Sequence, residues 1–233
     1  MKTLSFTFVL TILATALAGA GDFSPKRIIP VLDAKTPITD AKAPIKSGSC
    51  LSYDYIDLDY GMADFSSPLI DDDATSYGVN FSKSLGELFF LTGGYTNAGT
   101  DYLSGNQFFD LESHQYNLGL GAHFGLSQCV DFTIEAGVQH SDNRFGGGNA
   151  LSYDTWAYYV APGLRARFGR LESFAKIYYF EREGVPAGLA FDNDGWVFNP
   201  GLLFHLNDTL ALKAAASFGE TSSGLTLGAR IHF

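Results

Sequence analysis

From residue 51 to the end of the chain, apolar and polar positions alternate with period two over one stretch after another. Alternation of that period sends successive side chains to opposite faces of a β-strand. The clearest stretch is 129–140. Val130, Phe132, Ile134, Ala136 and Val138 share one face there, and Asp131, Thr133, Glu135, Gly137 and Gln139 share the other. In 114–124, Tyr116, Leu118, Leu120 and Phe124 alternate with Gln115, Asn117, Gly119 and His123. In 156–168, Trp156, Tyr158, Val160 and Leu164 alternate with Ala157, Tyr159, Ala161 and Arg165. Ten segments of this kind span 51–61, 75–85, 88–97, 110–124, 129–140, 152–168, 171–182, 195–206, 209–219 and 225–233. They suit the roughly 9–11 residues of a tilted membrane strand better than the about 5–6 residues of a soluble one.

The connections between segments sharpen this picture. Short ones at Gly86-Glu87, Gly125 to Gln128, Gly169-Arg170 and Asn207-Asp208 alternate with longer ones at 62–74, 98–109, 141–151 and 183–194. The last connection, Glu220 to Gly224, is an exception. Short periplasmic turns and long external loops are the habit of outer-membrane barrels. The pattern therefore predicts an all-β chain folded as a closed antiparallel up-and-down transmembrane β-barrel of about ten strands, with eight as the alternative. An even count leaves both barrel ends in the periplasm.

Three segments fit the pattern loosely. The strand opening the barrel has only Ile56, Leu58 and Tyr60 to face lipid. The start of 88–95 is apolar on both faces. In 171–181, an inward Lys176 sends Ile177 and Tyr179 outward and brings Phe174 and Tyr178 inside.

The N-terminus sets the compartment. Lys2, the apolar run Phe6 to Leu17 and the small residues around Ala18-Gly19-Ala20 read as a signal peptide over 1–20. No later run reaches the length of a membrane helix. Residues 21–49 hold four prolines and two similar stretches, DAKTPIT and DAKAPIK, and read as a periplasmic Pro/Lys-containing linker. The barrel then occupies 50–233. Residues 22–49 carry five basic and three acidic side chains, net +2, whereas 50–233 carry nine and 22, net −13. An acidic barrel argues against nucleic acid as a partner. Cys50 and Cys129 both fall near the predicted periplasmic end. A disulfide between them requires the chain around Cys50 to bend across the barrel base, and the sequence leaves the pairing open.

The inward faces carry charge of both signs: Asp57, Asp59, Asp131, Glu135 and Glu172 against Arg165, Arg167, Lys176, Lys213 and Arg230. Asn80, Gln115, Asn117, Asn199, His123 and His205 accompany them. Unpaired charge is costly in a narrow lumen, so these groups are expected to pair. The lumen of a barrel near this size is expected to be occluded or narrow. Three other features carry little. Asp71-Asp72-Asp73 lacks the spacing of a calcium loop, and Gly146-Gly147-Gly148 lacks the Lys-Ser/Thr of a phosphate loop. No metal or other cofactor is expected.

The last residues, TLGARIHF, resemble the C-terminal assembly signal of outer-membrane barrels, with Thr226, Gly228, Ile231 and Phe233 in its places. That resemblance implies the barrel-assembly machinery as a partner during biogenesis. More broadly, 51–233 resembles the small outer-membrane porin-like barrels related to the transmembrane domain of outer-membrane protein A. It does so through YDYIDLDYG, the hairpin SYGVNFSKSLGELFFLTGGY and the glycine-bearing strands that follow. No peptidoglycan-binding domain follows the barrel, so that anchoring role is not expected. His140-Ser141-Asp142-Asn143 resembles the rim His and Ser of lipid A deacylase, but the two residues are adjacent, and neighbours in a strand face opposite ways. The acidic loops are similar to those of omptin proteases, without a matching Asp-His constellation. The expectation is a non-enzymatic barrel facing outer-membrane lipid and lipopolysaccharide. Its task would be envelope structure with narrow permeation of small polar solutes. An enzyme acting on lipid A or peptides at the rim, or a surface adhesin, is the alternative.

Overall fold

A computed structural model describes residues 50–65, 73–104, 107–146, 151–185, 194–220 and 222–233. The predicted signal peptide and linker lie outside these residues, as do Asp71, Asp72, Gly147 and Gly148.

Among the described residues there are ten strands: β1 (Tyr55–Phe65), β2 (Asp73–Leu85), β3 (Phe89–Ser104), β4 (Gln107–Ser127), β5 (Val130–Phe145), β6 (Leu151–Phe168), β7 (Leu171–Glu183), β8 (Asp194–His205), β9 (Leu210–Gly219) and β10 (Ser222–His232). Each pairs antiparallel with its neighbour in sequence, and β1 pairs with β10 to close the barrel. Closure leaves no open sheet edge, the condition for a sheet to stand in lipid.

The alternation read from the sequence becomes an inside and an outside. Ile56, Leu58, Tyr60, Val79, Leu118, Leu120, Tyr158, Val160, Ile177, Leu212 and Leu227 are exposed on the exterior. Asp57, Asp131, Glu135, Arg165, Glu172 and Arg230 are buried. A water-soluble barrel would carry the opposite distribution. An apolar exterior around a polar interior is the outer-membrane arrangement. Inward rings need room, and glycines on adjacent strands supply it. A Cβ at Gly121 would run into the Phe90 ring, and one at Gly137 would meet the Tyr159 hydroxyl.

Two expectations need correction. Residues 51–54 are not the start of the first strand; β1 begins at Tyr55. Leu51 and Tyr53 are buried instead, at 6% and 4% exposure, because this segment turns into the barrel. The outer connections are also shorter than predicted. Most of 98–109 is strand, since β3 runs to Ser104 and β4 starts at Gln107. Apolar alternation stops beyond the lipid belt, but backbone pairing needs only a partner strand and continues past it. The turns at Gly86 and Gly169 lie where expected, at φ 80° and 62°, a region that favours glycine, whereas most of the expected turn from Gly125 to Gln128 is strand, since β4 runs to Ser127.

Candidate functional site

The lumen is organised around its periplasmic base. Cys50 is joined to Cys129 by a disulfide, with the Cα atoms 5.1 Å apart. Cys50 N–H also donates to the Gln128 carbonyl at 3.1 Å. The chain then crosses from the β4–β5 turn to the start of β1, laying Leu51 to Asp54 across the barrel mouth as a strap. The Tyr53 ring stacks on His123 at 4.2 Å and on Phe90 at 4.8 Å. Its hydroxyl donates to Asp131 Oδ2 at 3.0 Å. Arg165 lies 4.5 Å over the same ring and donates from Nη2 to the Ser52 carbonyl at 3.1 Å. Asp54 finishes the strap: Ser84 N–H donates to its Oδ1 at 2.7 Å, and Lys83 Nζ lies 3.4 Å from the same oxygen.

Two groups of the strap have displaced pKa values. Burial pushes the Tyr53 phenol up, helped by the neighbouring Asp131 carboxylate and opposed by Arg165. Tyr53 therefore stays a neutral donor at ordinary pH. At Asp54 slight burial acts upward, but the Ser84 amide and Lys83 outweigh it and hold the carboxyl below its ordinary value.

Above the strap, ion pairs fill the lumen. Arg165 donates from Nε and Nη2 to Glu172 Oε1 at 3.0 and 2.6 Å. His205 Nε2 lies 3.1 Å from the other oxygen of Glu172. A carboxylate only accepts, so that ring nitrogen carries the proton. Arg230 grips Asp57 with two bonds, at 2.7 and 2.9 Å, and its guanidinium rests 3.6 Å over the Tyr55 ring. Lys213 bridges Asp57 and Asp59 at 2.8 and 2.9 Å, and Asn80 donates to Asp59 at 3.1 Å. Higher up, Glu135 accepts from Lys176 at 2.7 Å and from Thr92 and Tyr159 at 2.8 Å each.

Nine of the ten charged residues expected in the lumen take part in these contacts. Arg167 stands apart and donates to the carbonyls of Gly169 and Cys50, at 3.0 and 3.2 Å. Glu172 turns toward Arg165 and His205, which leaves Arg167 to fasten the strap. Of the uncharged residues, Gln115 and Asn117 line the lumen higher up, and Asn199 donates to the Ala216 carbonyl at 2.9 Å. The sequence reading did not single out Ser52, Tyr53, Tyr55 or Thr92, and it placed Tyr159 and Tyr178 on inward faces without giving them a role. Their signal was available for β1 and β6, since Tyr55 and Tyr159 share the inward phase of Asp57 and Arg165.

The remaining candidates sit apart from this cluster. His140 stacks on Trp156 at 4.7 Å on the outside of β5, whereas Ser141 is buried on the inward side. The two cannot form a nucleophile and base. In β10, Thr226 lines the lumen, Gly228 lies against Asp59, and Ile231 and Phe233 are exposed. Lys83 Nζ lies 5.0 Å over the Phe233 ring. Among the described residues no group of His, Cys, Asp and Glu side chains is placed to hold a metal.

The lumen holds a cavity of about 550 Å³ that begins among the ion pairs. Its wall runs from Tyr55, Asp57, Arg165 and Arg230 to Ser76, Gln139, Ala157 and Arg182.

No family model matches the chain, and no curated protein does. Solved structures of similar shape include Neisserial surface protein A, at 14% identity over 78% of this chain and 98% of that one, with a TM-score of 0.46. The beta domain of the Bordetella autotransporter BrkA is 12% identical over 77% of this chain and 99% of that one, at 0.49. The NanC porin is 7% identical over 76% and 100%, at 0.48. None of these three scores reaches 0.5, and the assignment rests on the chain itself. Its closed ten-strand sheet, apolar exterior and charged interior are those of an outer-membrane β-barrel.

Proposed function

We propose that this chain is a non-enzymatic envelope barrel that does not conduct. One observation carries the reading: the side chains at the level of the strap are buried from every side. Tyr53, Phe90, Asp131, Arg165, Glu172, His205 and Arg230 are each at most 5% exposed there. Ten strands lie between the eight that side chains fill and the about 16 that leave an aqueous channel. At this size, paired side chains and one crossing segment are enough to close the barrel. The apolar exterior supports outer-membrane lipid and lipopolysaccharide as the partners of the folded barrel. The exposed Phe233 supports recognition by the assembly machinery.

Single-channel recording of the full refolded chain in planar bilayers tests this. The expected trace has no discrete steps. Steps whose size changes in Asp131→Asn or Arg165→Gln would overturn the reading and make the barrel a pore. Lipid A altered by the wild-type protein but not by His140→Ala would overturn it in favour of an enzyme.

A further inference from the structure

Beyond its ion pairs, the lumen cavity has two kinds of wall. The β3–β5 arc presents neutral hydrogen-bonding groups, led by Thr96, Gln115, Asn117 and Gln139. Their contacts with one another are long. Gln139 Nε2 donates to Gln115 Oε1 at 3.4 Å and to Ser141 Oγ at 3.3 Å, and Gln115 Nε2 donates to Ser113 Oγ at 3.4 Å. Bonds of that length are weak and readily exchanged for better ones. The adjoining β6–β7 arc presents the rings of Tyr159, Tyr178 and Phe180. Phe180 faces Gly195 across the strand pair, and a Cβ there would meet three of its ring carbons. The tip of the ring therefore packs against that wall.

The charges low in the cavity are matched, Lys176 with Glu135, Lys213 and Arg230 with Asp57 and Asp59, and Arg165 with Glu172. Arg182 adds one positive charge to the wall and lies 5.1 Å over the Phe180 ring. A guest therefore meets amide groups at one side and, at the other, aromatic rings flanked by Arg182 and Lys176. A saccharide ring has complementary chemistry, with hydroxyls around its edge and a C–H face that packs on an aromatic plane. The volume falls within the roughly 300–1,000 Å³ of small-molecule sites.

We propose that this vestibule binds neutral saccharide, with Gln139 and Gln115 taking the hydroxyls and Phe180 and Tyr178 the apolar face. The site is blind if the base is sealed, but binding does not depend on the seal. A conducting barrel could still bind, and a closed one could fail to, so the two readings fail separately.

The test uses the full refolded chain in a zwitterionic detergent, because a maltoside headgroup would itself compete. Maltotriose and cellotriose are titrated by calorimetry, with trigalacturonate as the anionic comparison. At least one neutral probe is expected to bind, and Phe180→Ala and Gln139→Ala are each expected to weaken it about tenfold, the effect of losing one good contact. Phe180→Tyr keeps the ring and is expected to keep the binding. Heat-modifiable migration shows that each variant is folded. No heat with either neutral probe, binding that survives both alanine variants, or preference for the acidic trisaccharide through Arg182 would each overturn the proposal.

Discussion

Asp57 shows how much one lumen side chain holds. It is 3% exposed and accepts from both Arg230 and Lys213. Asp57→Asn keeps the shape, removes the charge and leaves two buried cations short of a partner. Breaking a buried pair from one side costs about 3–5 kcal/mol. A loss of that size is expected in urea unfolding from lipid vesicles. Adding Lys213→Met should cost less than the sum of the two single changes, by more than about 0.5 kcal/mol, because the residues share one contact. The inward phase of Asp57 is legible in YDYIDLDYG. Its partners are not, because Arg230 lies 173 residues away and Lys213 lies 156 away. Two-residue periodicity says which face a residue occupies and nothing about which way a long side chain leans. That is why Arg165 and Arg167, on the same face, read alike in sequence and differ in the structure.

Among the elements, strand cores were legible and the strap was not. Strong alternation placed β4, β5 and β6 because lipid and lumen impose opposite demands on successive residues. Beyond the belt both faces meet polar surroundings, and the signal fades before the strand ends. Leu51 and Tyr53 alternate with Ser52 and Asp54 as a strand would, yet they serve a crossing segment. Only the disulfide position distinguishes the two cases, and spacing alone does not give it. The bond closes a span of 79 residues, for which the chain-entropy model gives about 4–5 kcal/mol. Reduction is expected to lower the midpoint of the heat-modifiable gel shift by about 10–15 °C, which an unreduced control checks. The strap also responds to acid. With its folded pKa depressed, Asp54 contributes fully above the ordinary carboxyl range, near about 3.9, and its contribution is lost as pH falls through the lowered value. In the Cys50→Ser/Cys129→Ser protein, the protection factor of the Ser84 amide is expected to be high at neutral pH and to drop below about pH 4. Hydrogen exchange measures it.

For the whole molecule, the barrel class was legible because closure, strand length and face alternation all follow from having lipid outside. The same asymmetry gives a test of placement. Leu118 faces outward in the belt and Asn117 faces the lumen. Leu118→Arg is expected to reduce insertion into vesicles by about 2–4 kcal/mol, the cost of a cation at mid-depth, and Asn117→Arg by much less. Equal effects would place the exterior in water. The strap has a mechanical consequence as well. Because Cys50 is bonded to Cys129, tension on the preceding chain passes through a covalent bond to the β4–β5 turn. It does not reach the seam where β1 meets β10, whose hydrogen bonds a direct pull on Tyr55 would load one after another. Oxidised, the barrel can be tugged from its N-terminal side without unzipping; reduced, the same pull falls on the seam.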